Sequence, residues 1–282
     1  MGYNAKIVAD SISKAGQRLT TMEVTFPRMV LAEFNTHRML SRNSASSRAI
    51  PVAKQLERIK EEPFIPAYWG ANQAGMQAHA ELEGDAKEHA MSEWLAARDS
   101  AVSHVEKLLE IGLHKQITNR LLEPFMWHTV IVTATDWSNF YALRANAMAQ
   151  PEIRTIAEMM QATHTASTPV ELDEGEWHLP LIQPEERDGT FEYSEDARKI
   201  SAARCARVSY LTHDGTRDLE ADLVLYKRLT DGGHMSPLEH VARPLTSEEL
   251  ASGEYCGNFR GWMQLRKLVK NEDDYSKVDK TA

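Results

Sequence analysis

THRMLSRNSASSRAIP, residues 36–51, holds three arginines, one histidine, four serines and one asparagine, and no acid. Arginine forks beside hydroxyls and loop N–H groups are the donors a phosphate needs, because charge-assisted bidentate bonds fix both its position and its orientation. A solvated basic loop has the same composition, so the stretch alone leaves both readings open. Its surroundings extend the pattern. Residues 35–60 carry Arg38, Arg42, Arg48, Lys54, Arg58 and Lys60 against a single acid, Glu57, in a chain whose net charge is -9.

Working outward, KIVADSI and RLTTMEVTF read as strands, with Leu19, Met22, Val24 and Phe26 close to period-2 alternation. Pro27 suits the first turn of a helix through MVLAEFNTHRML. SRNSASSR is too rich in Ser and Asn to prolong that helix and is expected as a structured loop. From Ala80 to Ile111, Met91, Trp94, Leu95, Val102, Val105, Leu108 and Leu109 recur at helical spacing, which predicts a long amphipathic helix with a core stripe. His114 to Leu122 predicts a second helical stretch, TVIVTAT a strand, and WSNFYALRANAMAQPEIRTIAEMMQAT helix with a break or new first turn at Pro151. The acidic segment 171–196, with its prolines and glycines, reads as a linker. DARKISAARCARVSY and RDLEADLVLYKRLT read as helices, the second capped by Thr216 and closed by Gly232-Gly233. The end, from about residue 270, reads as a flexible tail.

Composition excludes several classes. No run of 18 apolar residues predicts a membrane span. The first residues lack a signal-peptide pattern, and Lys6 spoils a myristoylation signal. Two cysteines, Cys205 and Cys256, cannot build a disulfide framework, so a reducing, cytoplasmic location is expected. The negative balance argues against duplex nucleic-acid binding, which depends on phosphate neutralisation. His213, Asp214, His234, Glu239 and His240 match no HExxH spacing, so no metal site is expected. Cys205 lies in an Ala-rich helical pattern that suits a small buried hydrophobe.

Five blocks together resemble the flavin-dependent thymidylate synthases. His37, Arg38, Asn43, Ser46 and Arg48 stand at the spacings of that family's Arg-His-Arg signature. RLLEPFMWHT (120–129) and NFYALRANAMAQPEIR (139–154) resemble two further blocks. AARCARVSY (202–210) and GGHMSPLEH (232–240) resemble the two that open the family's sequence, yet here they come last. The chain thus resembles a circularly permuted member, with 171–196 as the joint. CGNFRGWMQLRK and PRMVLAEFNTHR both resemble the helix leading into the signature, as though that element were present twice.

The resemblance implies an α+β fold, an antiparallel sheet packed with long helices as one domain over 1–282. It implies that Ser46, Arg48, Arg120 and Arg144 hold dUMP or a related pyrimidine nucleotide, with Arg144 beside the ring as the catalytic residue. His37, Arg38, Asn43, Asn139, Ser209, Ser236 and Glu239 would hold FAD. NADPH and methylenetetrahydrofolate would be co-substrates, and the sites would form between subunits of a homotetramer. In such chemistry the cofactor carries the difficult step while the protein orients and stabilises charge. The chain also departs from the pattern. Thr36 replaces the first signature arginine, Ser44 an acid, Glu33 a glutamine and Met148 a histidine, and TATDW lacks an Asn-x-Arg. These departures motivate two alternatives: C5 methylation or hydroxymethylation of another pyrimidine nucleotide, and a non-catalytic nucleotide- or flavin-binding descendant.

Overall fold

A computed structural model describes residues 2–47, 50–187, 189–208, 217–253 and 256–278. The first two predicted strands form an antiparallel hairpin, β1 (Asn4–Ser13) and β2 (Arg18–Pro27). Gly16 turns it at φ +84°, a left-handed angle that side chains with a Cβ disfavour. After Pro27 a 3-10 turn leads into α1 (Leu31–Asn35), which is shorter than expected. At its end the Arg42 guanidinium donates to the carbonyls of Phe34, Asn35 and His37 at 3.4, 3.0 and 3.1 Å. The Phe34 and His37 carbonyls also accept the backbone N–H groups of His37 and Leu40, so the Arg42 fork supplements the turn that closes the helix.

SRNS, expected as loop, is instead a strand, β3 (Ser41–Ser44), paired antiparallel with β4 (Trp127–Ala134). Short polar residues are poor strand formers alone, but the β-branched β4 offers them a ladder 90 residues downstream in the chain. The sheet order is β3-β4-β2-β1-β5, where β5 (Val170–Leu172) runs parallel to β1 and the other pairings are antiparallel. Following β3 come α2 (Val52–Glu61), α3 (Gly84–Glu110) and α4 (Lys115–Thr118). In α3, Val102 and Val105 are buried whereas Met91 faces solvent, so only part of the predicted stripe is core. The stretch to Leu122 is helical throughout, but α-helical only as far as Thr118. A 3-10 segment containing Pro124 then spans Asn119–Phe125.

One face of the sheet is apolar. Met22, Val24 and Phe26 of β2, with Val130, Val132 and Ala134 of β4, pack on α5 (Ser138–Arg144) and α6 (Pro151–Ala166) through Phe140, Ile153, Ile156 and Met160. Phe34 of α1 lies 4.9 Å from Phe26 and 5.5 Å from Phe140, ring centre to ring centre. Fully burying such a side chain contributes about 1.5–3 kcal/mol.

The opposite face is covered by the C-terminal half. That half contains α7 (Glu195–Arg207), α8 (Leu219–Asp231), β6 (Ala242–Pro244), α9 (Ser247–Ser252) and β7 (Trp262–Gln264). Cys205 and Val208 pack on Ile131 and Ala45. Leu19 packs on Leu172, Ala242, Phe259 and Trp262, and between these two apolar patches the contacts are polar. Ser11 Oγ meets His178 Nδ1 at 2.8 Å, and Thr21 Oγ1 meets His178 Nε2 and Thr133 Oγ1, each at 2.7 Å. Thr133 Oγ1 meets His240 Nδ1 at 2.7 Å. Burial holds both imidazoles neutral, down to about 3.

Segment 171–196 is therefore no solvated linker. Its acids Glu171, Asp173 and Glu174 face water, but Leu172, Trp177, His178, Leu179 and Ile182 are buried. Arg204 bonds Glu186 through two nitrogens at 2.6 and 2.8 Å and Asp222 at 3.0 Å, and Arg207 donates to the same Asp222 at 2.7 Å. The cap of α8 is Asp218, accepting from Ala221 N–H at 3.0 Å; Thr216 lies outside the described residues. CGNFRGWMQLRK is not helical here. Gly257 and Gly261, at φ +115° and +75°, lead into β7 and a 3-10 turn, Leu265–Leu268. Within the segment expected as a tail, the Glu272 side chain is buried between Arg266 and Lys267. Among the described residues no helix is long and apolar enough to cross a membrane.

Candidate functional site

Two clefts flank the segment on which the sequence argument began. The first, about 400 Å³, is lined on one side by Arg38, Ser41 and Arg42. Ser236 and Glu239, from the 3-10 turn Ser236–His240, line it too, with Gln264 at the end of β7 and Arg266 just beyond it. Asn43 joins the sides: its Nδ2 donates to Cys205 O at 2.7 Å and its Oδ1 accepts from Ser236 Oγ at 3.3 Å. Three of the residues matched to a flavin site, Arg38, Ser236 and Glu239, thus line one cleft, and Asn43 braces it.

At the end of α5, Arg144 donates from Nε to His37 Nε2 at 3.0 Å, and one terminal nitrogen reaches Thr36 Oγ1 at 3.4 Å. His37 stands edge-on to Phe140, 5.0 Å between ring centres. Burial, and then the cations Arg144 and Arg42, push the His37 pKa down, which keeps the ring neutral and its Nε2 an acceptor. A carboxylate in that position would cancel much of the arginine's field. A neutral imidazole orients the guanidinium and leaves its charge whole.

The second cleft, about 460 Å³, lies beneath α2 and is lined by Ala45, Ile50, Lys54, Arg58, His128 and Thr129 among others. Ser46 sits on the loop between Ala45 and Ile50. Asn119 anchors that loop, its Nδ2 donating to Ser47 O at 2.6 Å and Ile50 O at 3.0 Å. Glu123 gathers Arg120 at 2.8 Å, Ser47 Oγ at 3.1 Å and Arg28 at 3.3 Å. Burial, then Arg28, lowers His128 to about 3. Arg48 and Ser209 lie outside the described residues.

The matched residues do not all meet. Arg120 is bound to Glu123 and Arg144 to His37, with no partner in common among the described residues. Asn139 is exposed on α5 and is not among the lining of either cleft. Glu123 lies within a recognised block and Gln264 and Arg266 within CGNFRGWMQLRK, but none of them, nor Asn119 just before the block at 120–129, carried a signal of its own in the sequence. Cys205 is buried and its thiol pKa is pushed far up, so no thiolate forms there. Among the described residues no cluster of metal-ligating side chains occurs.

The sequence pattern of the thymidylate synthase complementing protein family, Thy1, matches residues 17–170, more than half of the chain. No curated protein sequence matches it. Similar solved structures include a UMP/dUMP methylase, PolB from Streptomyces cacaoi, bound with 5-Br dUMP. It is 16% identical over 58% of this chain and 90% of that one, with a TM-score of 0.43. The same protein bound with 5-Br UMP matches at 16% identity over 58% of this chain and 88% of that one, with a TM-score of 0.46.

Proposed function

This chain belongs to the thymidylate synthase complementing protein family, the flavin-dependent thymidylate synthases, and from that premise we propose that it methylates C5 of a pyrimidine nucleotide, converting dUMP to dTMP. The observation that carries the proposal is Arg144 held by a neutral His37. A guanidinium oriented without a counter-charge can stabilise negative charge developing on the pyrimidine ring as the new bond forms at C5. Ser46, Arg48 and Arg120 hold the nucleotide in this proposal, Arg120 by exchanging part of its bond to Glu123 for the phosphate.

The lining of the first cleft, three arginines, a lysine and two hydroxyls around one carboxylate, fits an anionic ligand that carries hydroxyls of its own. FAD would be held there by His37, Arg38, Asn43, Ser209, Ser236 and Glu239, with Asn139. When bound and reduced by NADPH, FAD supplies the hydride that completes the methyl group, and methylenetetrahydrofolate supplies the carbon. The chain's own part is to orient the nucleotide, exclude water and hold charge.

Because Arg120, Arg144 and Asn139 do not converge within one chain, we propose sites shared between subunits of a homotetramer in the cytoplasm. The order of the blocks supports a circularly permuted single domain joined through 171–196. A second reading, hydroxymethylation or use of another pyrimidine nucleotide, is favoured by Thr36: it accepts from Arg144 where the family has an arginine, which alters the polar wall beside the reacting group. Product mass analysis over a panel of dUMP, UMP, dCMP and CMP decides between them. The proposal expects dTMP as the single product; a hydroxymethyl mass or a preferred partner other than dUMP selects the second reading.

A further inference from the structure

The first cleft carries cationic side chains on two walls that are far apart in sequence. Arg38 and Arg42 come from the turn after α1 and from β3, and Arg266 and Lys267 from the turn after β7. Glu239 is the one carboxylate among the described residues that line it. In a chain of net charge -9 such a concentration of cations has to be held in place by structure. Arg42 is fixed by the carbonyls at the end of α1. Arg266 is fixed by Glu239 at 2.7 Å through one terminal nitrogen and by Glu272 at 2.8 Å through Nε. Its other terminal nitrogen has no hydrogen-bond partner among the described residues. Lys267 is paired with the same buried Glu272.

The second wall is also locked to the first. Gln264 Nε2 donates to Asn258 Oδ1 at 2.9 Å, to Glu239 O at 3.1 Å and to Ser41 Oγ at 3.4 Å. Gly257 makes room for this amide, since a Cβ there would stand 1.9 Å from Gln264 Oε1. A flexible surface lysine and arginine would lose much of their ordering entropy on meeting an anion. These two are already ordered, which favours a ligand that engages both walls at once. Two walls that each present a guanidinium suit adjacent phosphates better than one, and because Glu239 and Glu272 already balance the charges of Arg266 and Lys267, the second wall offers an anion placed N–H donors rather than a net positive field.

We propose that Arg266 and Lys267 form, with Arg38 and Arg42, a clamp for the diphosphate of a dinucleotide, Glu272 acting as the positioning residue for the second wall. The clamp rests on the proposed function in placing FAD in this cleft. It adds binding groups from the C-terminal segment, outside residues 17–170 matched by the family.

The experiment titrates the full-length protein, wild type and Arg266→Gln/Lys267→Gln, with FAD, riboflavin and inorganic pyrophosphate, following flavin fluorescence and calorimetry, with thermal melting as the check on folding. Loss of two charge-assisted contacts should weaken FAD by about 30-fold or more and abolish measurable pyrophosphate binding, with riboflavin within about 2-fold of wild type. If the double variant does not fold, Lys267→Gln alone leaves the Arg266–Glu239 pair intact and should weaken FAD by about 5-fold. A folded variant that binds FAD as tightly as wild type overturns the clamp and leaves the flavin proposal standing. Wild type that binds pyrophosphate but no flavin, with the variant losing pyrophosphate, supports an anion clamp and overturns the flavin proposal. Wild type that binds none of the three overturns both.

Discussion

The two faces of the main sheet are made by alternate residues of the same strands, yet they are held by different physics. Met22, Val24, Val130 and Val132 point to helices α5 and α6 and pack there in an apolar cluster, with polar contacts only toward its edge, where Thr20 Oγ1 meets His164 of α6. Their neighbours Thr21 and Thr133 point the other way, into a chain of hydrogen bonds that runs from Ser11 through His178 to His240. Apolar contact is tolerant: a helix can settle at several positions and bury similar area. A buried polar chain is not, because every hydroxyl and ring nitrogen out of register is left without a partner. The apolar face therefore gives the fold its stability, while the polar face sets one docking position for the C-terminal half. Both Glu239 and Ser236, next to His240, inherit their place at the first cleft from that docking.

Cutting into the apolar face should have the largest effect. Phe26→Ala removes a fully buried ring touching Phe34, and is expected to cost about 3–5 kcal/mol in denaturant unfolding. A loss below about 1 kcal/mol would mean that the helices on this face do not anchor the fold.

Next is Arg144→Ala, at the tip of a helix that packs on the same face. It should lower kcat by about 10²–10³-fold, with the melting temperature little changed, as for removal of one preorganised charge donor. Equal activity in the variant would remove Arg144 from the chemistry, and absence of turnover in the wild type would favour a non-catalytic descendant.

Acid should select the polar face. His178 and His240 sit near 3 in the folded chain against an ordinary 6.5. Between those values the unfolded chain takes up protons that the folded one refuses, so stability is full above about pH 6.5 and falls as pH drops toward 3. Each histidine contributes a slope of about 1.4 kcal/mol per pH unit, and His240→Asn should flatten the acid limb by that amount. An unchanged slope would contradict a neutral, buried His240.

The smallest effect is the sharpest comparison. Thr133→Val and Val132→Thr are mirror substitutions at adjacent positions on opposite faces. Each should cost about 1–3 kcal/mol, the first by orphaning His240 and Thr21, the second by burying a lone hydroxyl. Only Thr133→Val should loosen the C-terminal half, seen as faster proteolysis within 171–196.

Periodicity made the apolar face readable: the alternation in RLTTMEVTF and the run TVIVTAT placed β2 and β4 correctly. SRNS was not readable as a strand, because what makes it one is a partner some 90 residues away. Segment 171–196 looked like a linker because its acids and prolines mask Trp177, Leu179 and Ile182, three apolar residues too irregularly spaced to show a face. Block resemblance placed Arg38, Ser236 and Glu239 on what is one cleft, although they are nearly 200 residues apart. It was silent on Arg266 and Lys267, whose role depends on Glu272 and on a turn that glycines 257 and 261 produce. The seam histidines were equally hidden, since His240 carried only the marks of a possible ligand and His178 none.

The central claim, methyl transfer to C5 of a pyrimidine nucleotide, is tested most directly by tritium release from C5-labelled dUMP with FAD, NADPH and methylenetetrahydrofolate present, the product being identified by mass. Release in step with formation of dTMP is the predicted result. No release from a protein that nonetheless binds both flavin and dUMP would contradict it.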